Sequence, residues 1–222
     1  MDNYLDLVKS KAASNPMKNQ TTDAQQLGLE IREVRKARGL TLNDLSVQVD
    51  CSVAYLSRVE LGTTRLSVAL LQAISKALSV ESAWFFPKRT GEGILESTHV
   101  VRANNRRPLS DLYTRTSAEL GFHDELLSST LSGKCYLMKS SFPAEKGAQP
   151  DCTDNNDGYA YEGEQHGIVT SGEVLLILGT ERIILKSGDS FSYPTTIPHK
   201  FINNSDKEAT MIYAMAPVRI SW

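Results

Sequence analysis

Side chains that could form a disulfide or bind a structural metal are few in this sequence. The three cysteines, Cys51, Cys135 and Cys152, are odd in number, and no two of them form a C-x-x-C pair. These features disfavour a disulfide framework and a zinc module, and they fit a reducing cytoplasm. Among the four histidines, His99 and His123 show no partner in the sequence. We therefore expect no disulfide and no cofactor.

Charge is distributed unevenly along the 222 residues. Residues 1–90 carry 12 Lys and Arg against 9 Asp and Glu, a net charge of +3, whereas the remainder carries 12 against 17, a net charge of −5. The basic excess permits DNA binding by the first part without demonstrating it. No apolar run is long enough to span a bilayer, and the first residues lack a secretory signal pattern. A cytoplasmic protein with no membrane partner is expected.

The first part of the chain has the hydrophobic spacing of short helices. Residues 1–24 are polar and are interpreted as a flexible N-terminal arm. Beyond them, Gly39 and Gly62 are placed to end helices, and Thr41 and Ser52 are placed to cap them. The spacing predicts five helices, at about residues 27–38, 42–49, 53–61, 67–78 and 84–86.

The second part has the pattern of short strands separated by turns. Val100-Val101 is interpreted as the start of this β-rich part, and residues 104–108 as a loop. Strands are predicted at 135–142, 166–170, 173–178, 182–185, 190–193, 200–202 and 210–214. Such evenly spaced strands favour an antiparallel barrel or jelly roll. Residues 144–158, rich in Asp, Asn and Gly, are interpreted as a long loop that serves a pocket.

A family resemblance lies in residues 41–62. They read Thr41-Leu-Asn-Asp-Leu-Ser-Val-Gln-Val-Asp50, then Cys51-Ser-Val-Ala-Tyr-Leu-Ser-Arg-Val-Glu-Leu-Gly62. This segment resembles the Xre/Cro-type helix-turn-helix, and the resemblance, which extends over residues 27–86, implies a five-helix, lambda-repressor-like domain. Ser46 replaces the family's alanine where two helices cross, and Asp50 replaces its turn glycine. Serine is small enough for that position, and aspartate tolerates a left-handed backbone better than most residues.

The resemblance implies that the helix beginning at Ser52 lies in the major groove of DNA. Residues expected on its exposed face are Ser52, Val53, Ala54, Ser57 and Arg58. Arg58 can make a bidentate contact with guanine, while Val53 and Ala54 can pack on a thymine methyl group. Phosphate contacts are expected from Thr41, Asn43, Thr63, Thr64 and Arg65. Glu60 is expected to hold Arg35 or Arg38 in a structural ion pair, and a purely solvated Arg58 is the alternative to base contact.

A second resemblance begins at Tyr159. The chain is similar to the first cupin motif at Tyr159-Ala-Tyr161-Glu-Gly-Glu-Gln165, which Gly172 closes. It is similar to the second motif at Gly188-Asp189, Pro194, His199 and Asn203, with Thr196 in place of an inner glycine. The resemblance covers residues 120–222 and is strengthened by the preceding Xre-type domain, because Xre–cupin fusions form a familiar regulator family. Metal-binding cupins hold their metal with two histidines and a glutamate from the first motif and a histidine from the second. At these four positions, in order, this chain has Tyr159, Tyr161, Gln165 and His199.

These four residues are a poor set of metal ligands. Neutral Gln binds metals weakly, Tyr binds them when ionised, and one imidazole does not hold a metal by itself. A shifted set with Glu162, Glu164 or His166 is an alternative, although His166 and Gln165 are strand neighbours and should point to opposite faces. We therefore expect a metal-free small-molecule site in an apolar cavity.

Three other interpretations of these residues stay open. The four could form a buried polar cluster that only stabilises the barrel. His199 could be a pH-sensitive core histidine. Glu162 and Glu164 could attract a cationic ligand such as an amine, although carboxylates at a strand edge are usually just solvated.

Together, these patterns predict an α+β protein of two domains. The expected parts are an arm (1–24), a helix-turn-helix domain (25–87), a linker and dimer-contact segment (88–119) and a cupin sensor domain (120–222). The resemblances imply a homodimeric, non-enzymatic repressor that binds a double-stranded DNA operator under control of a small-molecule effector. The alternatives are a metal-dependent cupin enzyme of the dioxygenase or isomerase type with a DNA-binding appendage, and a constitutive DNA-binding protein whose barrel only dimerises.

Overall fold

The structure is a computed structural model that describes residues 23–87, 94–113, 117–144 and 158–217. The predicted arm and the predicted long loop lie outside the described residues except at their ends. None of the described helices has the length and apolar composition needed to cross a bilayer. The predicted domain boundaries stay predictions.

The N-terminal part is a helical domain in which the predicted caps Thr41 and Ser52 begin two helices, whereas the first helix begins at Asp23, before the predicted start at residue 27 and inside the predicted arm. Its helices are α1 (Asp23–Ala37), α2 (Leu42–Gln48), α3 (Val53–Glu60) and α4 (Val68–Leu78), followed by a 3-10 turn, Ser82–Phe85. The Thr41 hydroxyl accepts the Asp44 N–H at 3.1 Å, and the Asp44 carboxylate accepts the Thr41 N–H at 2.8 Å, which is a capping box. The Ser52 hydroxyl accepts the Tyr55 N–H at 3.2 Å and so caps α3. Asp50 has a φ of 49°, the left-handed conformation expected of it.

A buried ion pair joins α1 to the end of α3. Arg35 donates from Nε to Glu60 Oε1 at 2.6 Å and from Nη2 to Glu60 Oε2 at 2.8 Å, and both side chains are buried. This confirms the structural role predicted for Glu60, with Arg35 as its partner. Arg38 instead donates to the carbonyl oxygens of Leu78 and Ser79 at the end of α4.

The backbones of α1 and α3 are also in direct contact. A Cβ atom added at Gly28 would lie 2.3 Å from the carbonyl oxygen of Val59 and 2.7 Å from that of Glu60. Only glycine leaves room for this approach. The position of α3 is therefore tied to α1 by packing as well as by the ion pair.

Three predictions about local structure were wrong in detail. The predicted fifth helix is a 3-10 turn that begins at Ser82. Val100 and Val101 lie in no strand but follow a helix, α5 (Ile94–His99); strand propensity has no effect where no partner strand is adjacent. The predicted loop at 104–108 contains the end of a 3-10 turn (Ala103–Asn105) and the two-residue strand β1 (Arg107–Pro108).

The C-terminal part is built from two antiparallel sheets. After a 3-10 turn (Leu109–Leu112) and α6 (Ser117–Leu120), its strands are β2 (His123–Leu126), β3 (Tyr136–Phe142), β4 (Glu164–Ser171), β5 (Glu173–Leu178), β6 (Glu181–Lys186), β7 (Ser190–Pro194), β8 (His199–Ile202) and β9 (Ala209–Ala216). One sheet has the order β1-β2-β3-β9-β4-β7 and the other has the order β6-β5-β8. This arrangement confirms the predicted antiparallel barrel or jelly roll.

Two buried carboxylates of α1 connect the helical domain to the β-domain. Glu30 accepts a hydrogen bond from Arg107 Nη1 at 2.8 Å, and the Arg107 guanidinium lies 4.6 Å from the centre of the Trp84 ring. Glu33 accepts from the backbone N–H of Leu131 at 2.9 Å and from the Thr130 hydroxyl. We call these six residues the interdomain contact.

The ion pair between α1 and α3 predicts a large loss of stability when one partner is removed. Glu60→Ala leaves the Arg35 charge buried and uncompensated, so urea unfolding should show a free energy of unfolding lower by about 3 kcal/mol. Glu96→Ala is the matched control, because Glu96 pairs with Arg102 at the surface. It should change the free energy by no more than about 1 kcal/mol. A loss below about 1 kcal/mol for Glu60→Ala would contradict this account.

Candidate functional site

The helix α3 presents the polar and small side chains expected of a helix that enters a DNA groove. Ser52, Val53, Ala54 and Arg58 are exposed and Ser57 is half-buried, whereas Leu56 and Val59 are in the core. The Arg58 guanidinium lies 5.9 Å from the centre of the Tyr55 ring. The arrangement leaves one guanidinium on the outer face of the helix, supported by an aromatic ring.

The residues predicted to contact phosphates surround this helix. Asn43 and Arg65 are exposed, and Thr64 is half-buried. The Thr63 hydroxyl donates to the Arg58 carbonyl oxygen at 3.2 Å. The Thr41 hydroxyl donates to the Asp44 carboxylate within the capping box, at 2.7 Å. Thr41 and Thr63 are exposed as well, but both hydroxyls already have protein partners.

A partly open cavity lies between the two sheets of the β-domain. All four residues that the cupin resemblance singled out line it: Tyr159, Tyr161, Gln165 and His199. Its apolar wall contains Leu120, Phe122, Phe142, Phe201, Met211 and Met215. The structure therefore places the four residues around one cavity.

Strand pairing explains how these residues meet. One row of paired residues runs across four neighbouring strands of the larger sheet. In order, it contains Tyr136 of β3, Met215 of β9, Gln165 of β4 and Tyr193 of β7. Successive residues on a strand point to opposite faces, so all members of a row share the inner face. Gln165 accepts a hydrogen bond from the Tyr193 hydroxyl at 3.0 Å. His166, on the opposite face, is exposed as predicted.

His199 enters the cavity from the smaller sheet. Its Nδ1 lies 2.9 Å from the Ile197 carbonyl oxygen, and because a carbonyl only accepts, Nδ1 carries the proton and Nε2 the lone pair. The centres of the Tyr161 and Tyr193 rings lie 5.6 and 5.0 Å from that of His199. Burial lowers the pKa of the His199 imidazole, which is therefore neutral at pH 7.

The cavity does not fit the metal that many cupins hold. Burial raises the pKa of Tyr161 and of Tyr193 well above its usual range, so these phenols stay protonated. Gln165 is a neutral ligand whose oxygen already accepts from Tyr193. In the described part of the chain, no three His, Cys, Asp or Glu side chains lie together as a metal site requires.

The shifted ligand set does not assemble either. Glu162 and Glu164 are exposed, and His166 contacts Glu164 at 3.3 Å and Ser192 at 2.7 Å outside the cavity. No step of the proposed function therefore runs through a metal.

A second polar cluster in the cavity was missed by the sequence analysis. The Asp124 carboxyl accepts hydrogen bonds from the hydroxyls of Tyr113, Ser140 and Tyr213; the Tyr213 oxygen lies 3.1 Å from Asp124 Oδ2. All four residues line the cavity. Asp124 is 3% exposed, and burial raises the pKa of its carboxyl despite the three hydrogen bonds, which act to lower it.

One signal in the sequence could have located Asp124. Leu126 is an apolar residue two positions further along the same strand, and alternation places both on one face. A carboxyl at an inward position of a strand is unusual enough to mark a site. The other members of the cluster come from distant segments, and only the fold brings them together.

The neutral state of buried His199 predicts a pH dependence of stability. The unfolded imidazole takes up a proton as the pH falls through about 6.5, whereas the folded one resists it, so protonation favours unfolding. The stability of the wild type relative to His199→Gln should therefore fall by about 1 kcal/mol between pH 7.5 and 5.5, as urea unfolding would measure. His166→Gln, which removes an exposed imidazole, is the control. If the difference in free energy of unfolding between the wild type and His199→Gln were the same at pH 7.5 and 5.5, His199 would not be a buried neutral histidine.

Comparison with known proteins supports both parts of the fold. Residues 31–85 match the family model described as helix-turn-helix, and residues 160–215 match the cupin domain model. No curated protein matches the sequence significantly.

Similar solved structures include an HTH_3 family transcriptional regulator from Vibrio cholerae, 17% identical with a TM-score of 0.36, covering 88% of this chain and 98% of that one. A hydroxypropylphosphonic acid epoxidase from S. wedmorenis is 13% identical with a TM-score of 0.41, covering 87% and 97%. An RmlC-like cupin from Shewanella frigidimarina is 20% identical with a TM-score of 0.39, covering 55% and 92%. Likenesses this distant assign no activity to the chain.

The two family models, with the helices and sheets described above, establish that the chain joins a helix-turn-helix DNA-binding domain of the Xre type to a cupin domain.

Proposed function

We propose that this protein is a transcriptional regulator that binds a specific DNA sequence as a homodimer and acts as a repressor. The observation that carries the proposal is the outer face of α3, on which Arg58 is exposed beside small side chains while Leu56 and Val59 anchor the helix in the core. A helix of this kind reads base edges from the major groove, and an arginine is the side chain best suited to guanine.

The dimer follows from the size of the DNA-binding unit. One helix-turn-helix domain covers a half-site, and two related by a twofold axis cover a palindromic operator with half-sites about one helical turn apart. Two copies also double the number of phosphate contacts, which supply much of the affinity. A dimer that covers an operator excludes other proteins from it, which is the simplest route to repression.

The cupin domain supplies the site for a small-molecule effector. Its cavity combines aromatic and methionine walls with a few hydrogen-bonding groups, the composition typical of ligand pockets. The metal-dependent enzyme considered above would require ligands that Tyr161 and Gln165 do not provide. Binding without chemical conversion is therefore the function that these residues support best.

A short series of contacts leads from the cavity to the DNA-binding domain. Asp124 lines the cavity and lies on β2, two residues from Leu126. Leu126 pairs with Arg107 of β1, and Arg107 donates to Glu30 on α1. A ligand that moves β2 is therefore placed to move α1.

From α1 the series reaches the DNA-reading helix. Gly28 packs on the last turn of α3, and the Arg35–Glu60 ion pair joins the same two helices. An effector changes operator affinity when it binds one arrangement of the two domains more tightly than another. The change can be no larger than the difference between the effector's binding free energies for the two arrangements. The contacts supply a physical route for that preference, and mutation of the interdomain contact tests it.

Two arginines of the DNA-binding domain should have different effects on operator binding. In fluorescence anisotropy, Arg58→Ala should weaken binding to the preferred duplex by about 1–3 kcal/mol and relax the choice of base at one position per half-site. Arg65→Ala should instead weaken binding to all sequences equally and reduce the slope of log affinity against log salt concentration by about 1. If Arg58→Ala weakened all duplexes equally, the base-reading role of Arg58 would be wrong.

Loss of the interdomain contact should separate the unfolding of the two domains. In differential scanning calorimetry the wild type should unfold in one transition, whereas Arg107→Ala, which leaves Glu30 buried without its cation, should show two. Arg102→Ala removes an arginine that pairs at the surface with Glu96 and should keep one transition. A single transition for Arg107→Ala at the wild-type temperature would contradict the proposed coupling route.

A further inference from the structure

We propose that the cupin cavity binds a small organic cation, with its ammonium group against the carboxylate of Asp124. This inference rests on the proposed function, since it names the ligand class of the effector site. The exposed carboxylates Glu162 and Glu164, from which the sequence suggested attraction of an amine, are not part of it. The charge that matters lies inside the cavity.

The groups that hydrogen-bond to the Asp124 carboxyl are uncharged. Three hydroxyl groups hold it, and no described Lys, Arg or His side chain forms an ion pair with it. His123, the preceding residue on β2, favours the charged form of the carboxyl, but its side chain is exposed. By contrast, the buried carboxylates Glu30 and Glu60 each have an arginine partner. A buried carboxylate without a cation is costly, and a cation from a ligand would remove that cost.

The other polar side chains of the cavity include His199, Tyr161 and Lys200. His199 is neutral, and Tyr161 keeps its phenolic proton, so neither offers a positive charge to an anionic ligand. Lys200 also touches the cavity, but it lies between inward-facing His199 and Phe201 on β8, and alternation directs its side chain to the other face. The buried charged group of this surface is therefore the carboxyl of Asp124, which suits the surface to a cation.

The Asp124 carboxyl has room for one more hydrogen-bond donor. Ser140 donates to Oδ1 of Asp124, and Tyr113 and Tyr213 donate to Oδ2. A carboxylate accepts about four hydrogen bonds, so one position is left for an N–H of the ligand. Phe122, Phe142 and Phe201 follow one another along the cavity wall, with ring centres 5.7 and 6.5 Å apart. Aromatic faces attract cations and accept the alkyl part of an amine.

The test is a matched set of three ligands that differ only in the head group: hexylamine, 1-hexanol and hexanoate. Isothermal titration calorimetry on the full chain at pH 7.5 should show hexylamine binding at least tenfold more tightly than the alcohol, with hexanoate weakest. Asp124→Asn should lower the affinity for hexylamine at least tenfold and leave that for the alcohol within about twofold. Glu164→Gln, which makes the same change at an exposed carboxylate, should leave both affinities unchanged.

Equal binding of the amine and the alcohol by the wild type would overturn the proposal, and that comparison is decisive even if Asp124→Asn does not fold. Tighter binding of hexanoate would also overturn it and would identify Lys200 as the charge in use. Hexylamine affinity that is unchanged in folded Asp124→Asn would be equally contradictory. DNA binding is measured separately on the same samples. A protein that prefers the amine but binds no specific DNA would keep the cation site and lose the proposed regulatory function.

Discussion

Two carboxylates on one face of α1, Glu30 and Glu33, hold the DNA-binding domain against the cupin domain. Each is buried, and each accepts hydrogen bonds from the other domain: Glu30 from Arg107, and Glu33 from Thr130 and Leu131. Within α1, Gln26 also donates to Glu30. If the domains separated, Glu30 would lose its cation and Glu33 its donors, and both would have to be solvated again. The contact is therefore specific in orientation, because hydrogen bonds depend on direction whereas apolar packing alone does not.

In the proposed regulator, this contact connects a ligand in the cavity to the DNA-binding domain. The strand that carries Asp124 pairs with the strand that carries Arg107, so the cavity wall and the interdomain contact belong to adjacent strands of one sheet. A sheet transmits displacement because its strands are joined by hydrogen bonds along their length. Replacement of the metal-binding residues of other cupins by Tyr159, Tyr161 and Gln165 fits such a binding role, since neutral groups can recognise a ligand without acting on it.

The sequence predicted the elements that local chemistry determines. Thr41, Ser52 and Asp50 occupy positions where a cap or a left-handed turn is required, so α2 and α3 were located closely. Gln165 and His199 were placed in one cavity because the spacing of the cupin motifs reflects the pairing of strands. Prediction worked where a residue type has one structural use.

Features that depend on distant partners were not predicted. Glu30 and Glu33 resemble solvated charges of a surface helix, and they are buried only because the cupin domain covers them. The strand β1 is two residues long and exists because β2 pairs with it. Asp124 lies on a strand that the sequence analysis did not predict, and its hydroxyl partners come from three separate segments. Such clusters are assembled by the fold and leave only weak signals in the sequence.

The most direct test of the central claim is selection of bound duplexes from a pool of random DNA by the purified full-length protein. The account predicts enrichment of an inverted repeat whose half-sites are centred about 10 base pairs, or a multiple of that, apart. A pool that remains random after repeated rounds at physiological salt would mean that α3 does not read sequence. The protein would then not be the operator-binding regulator described here.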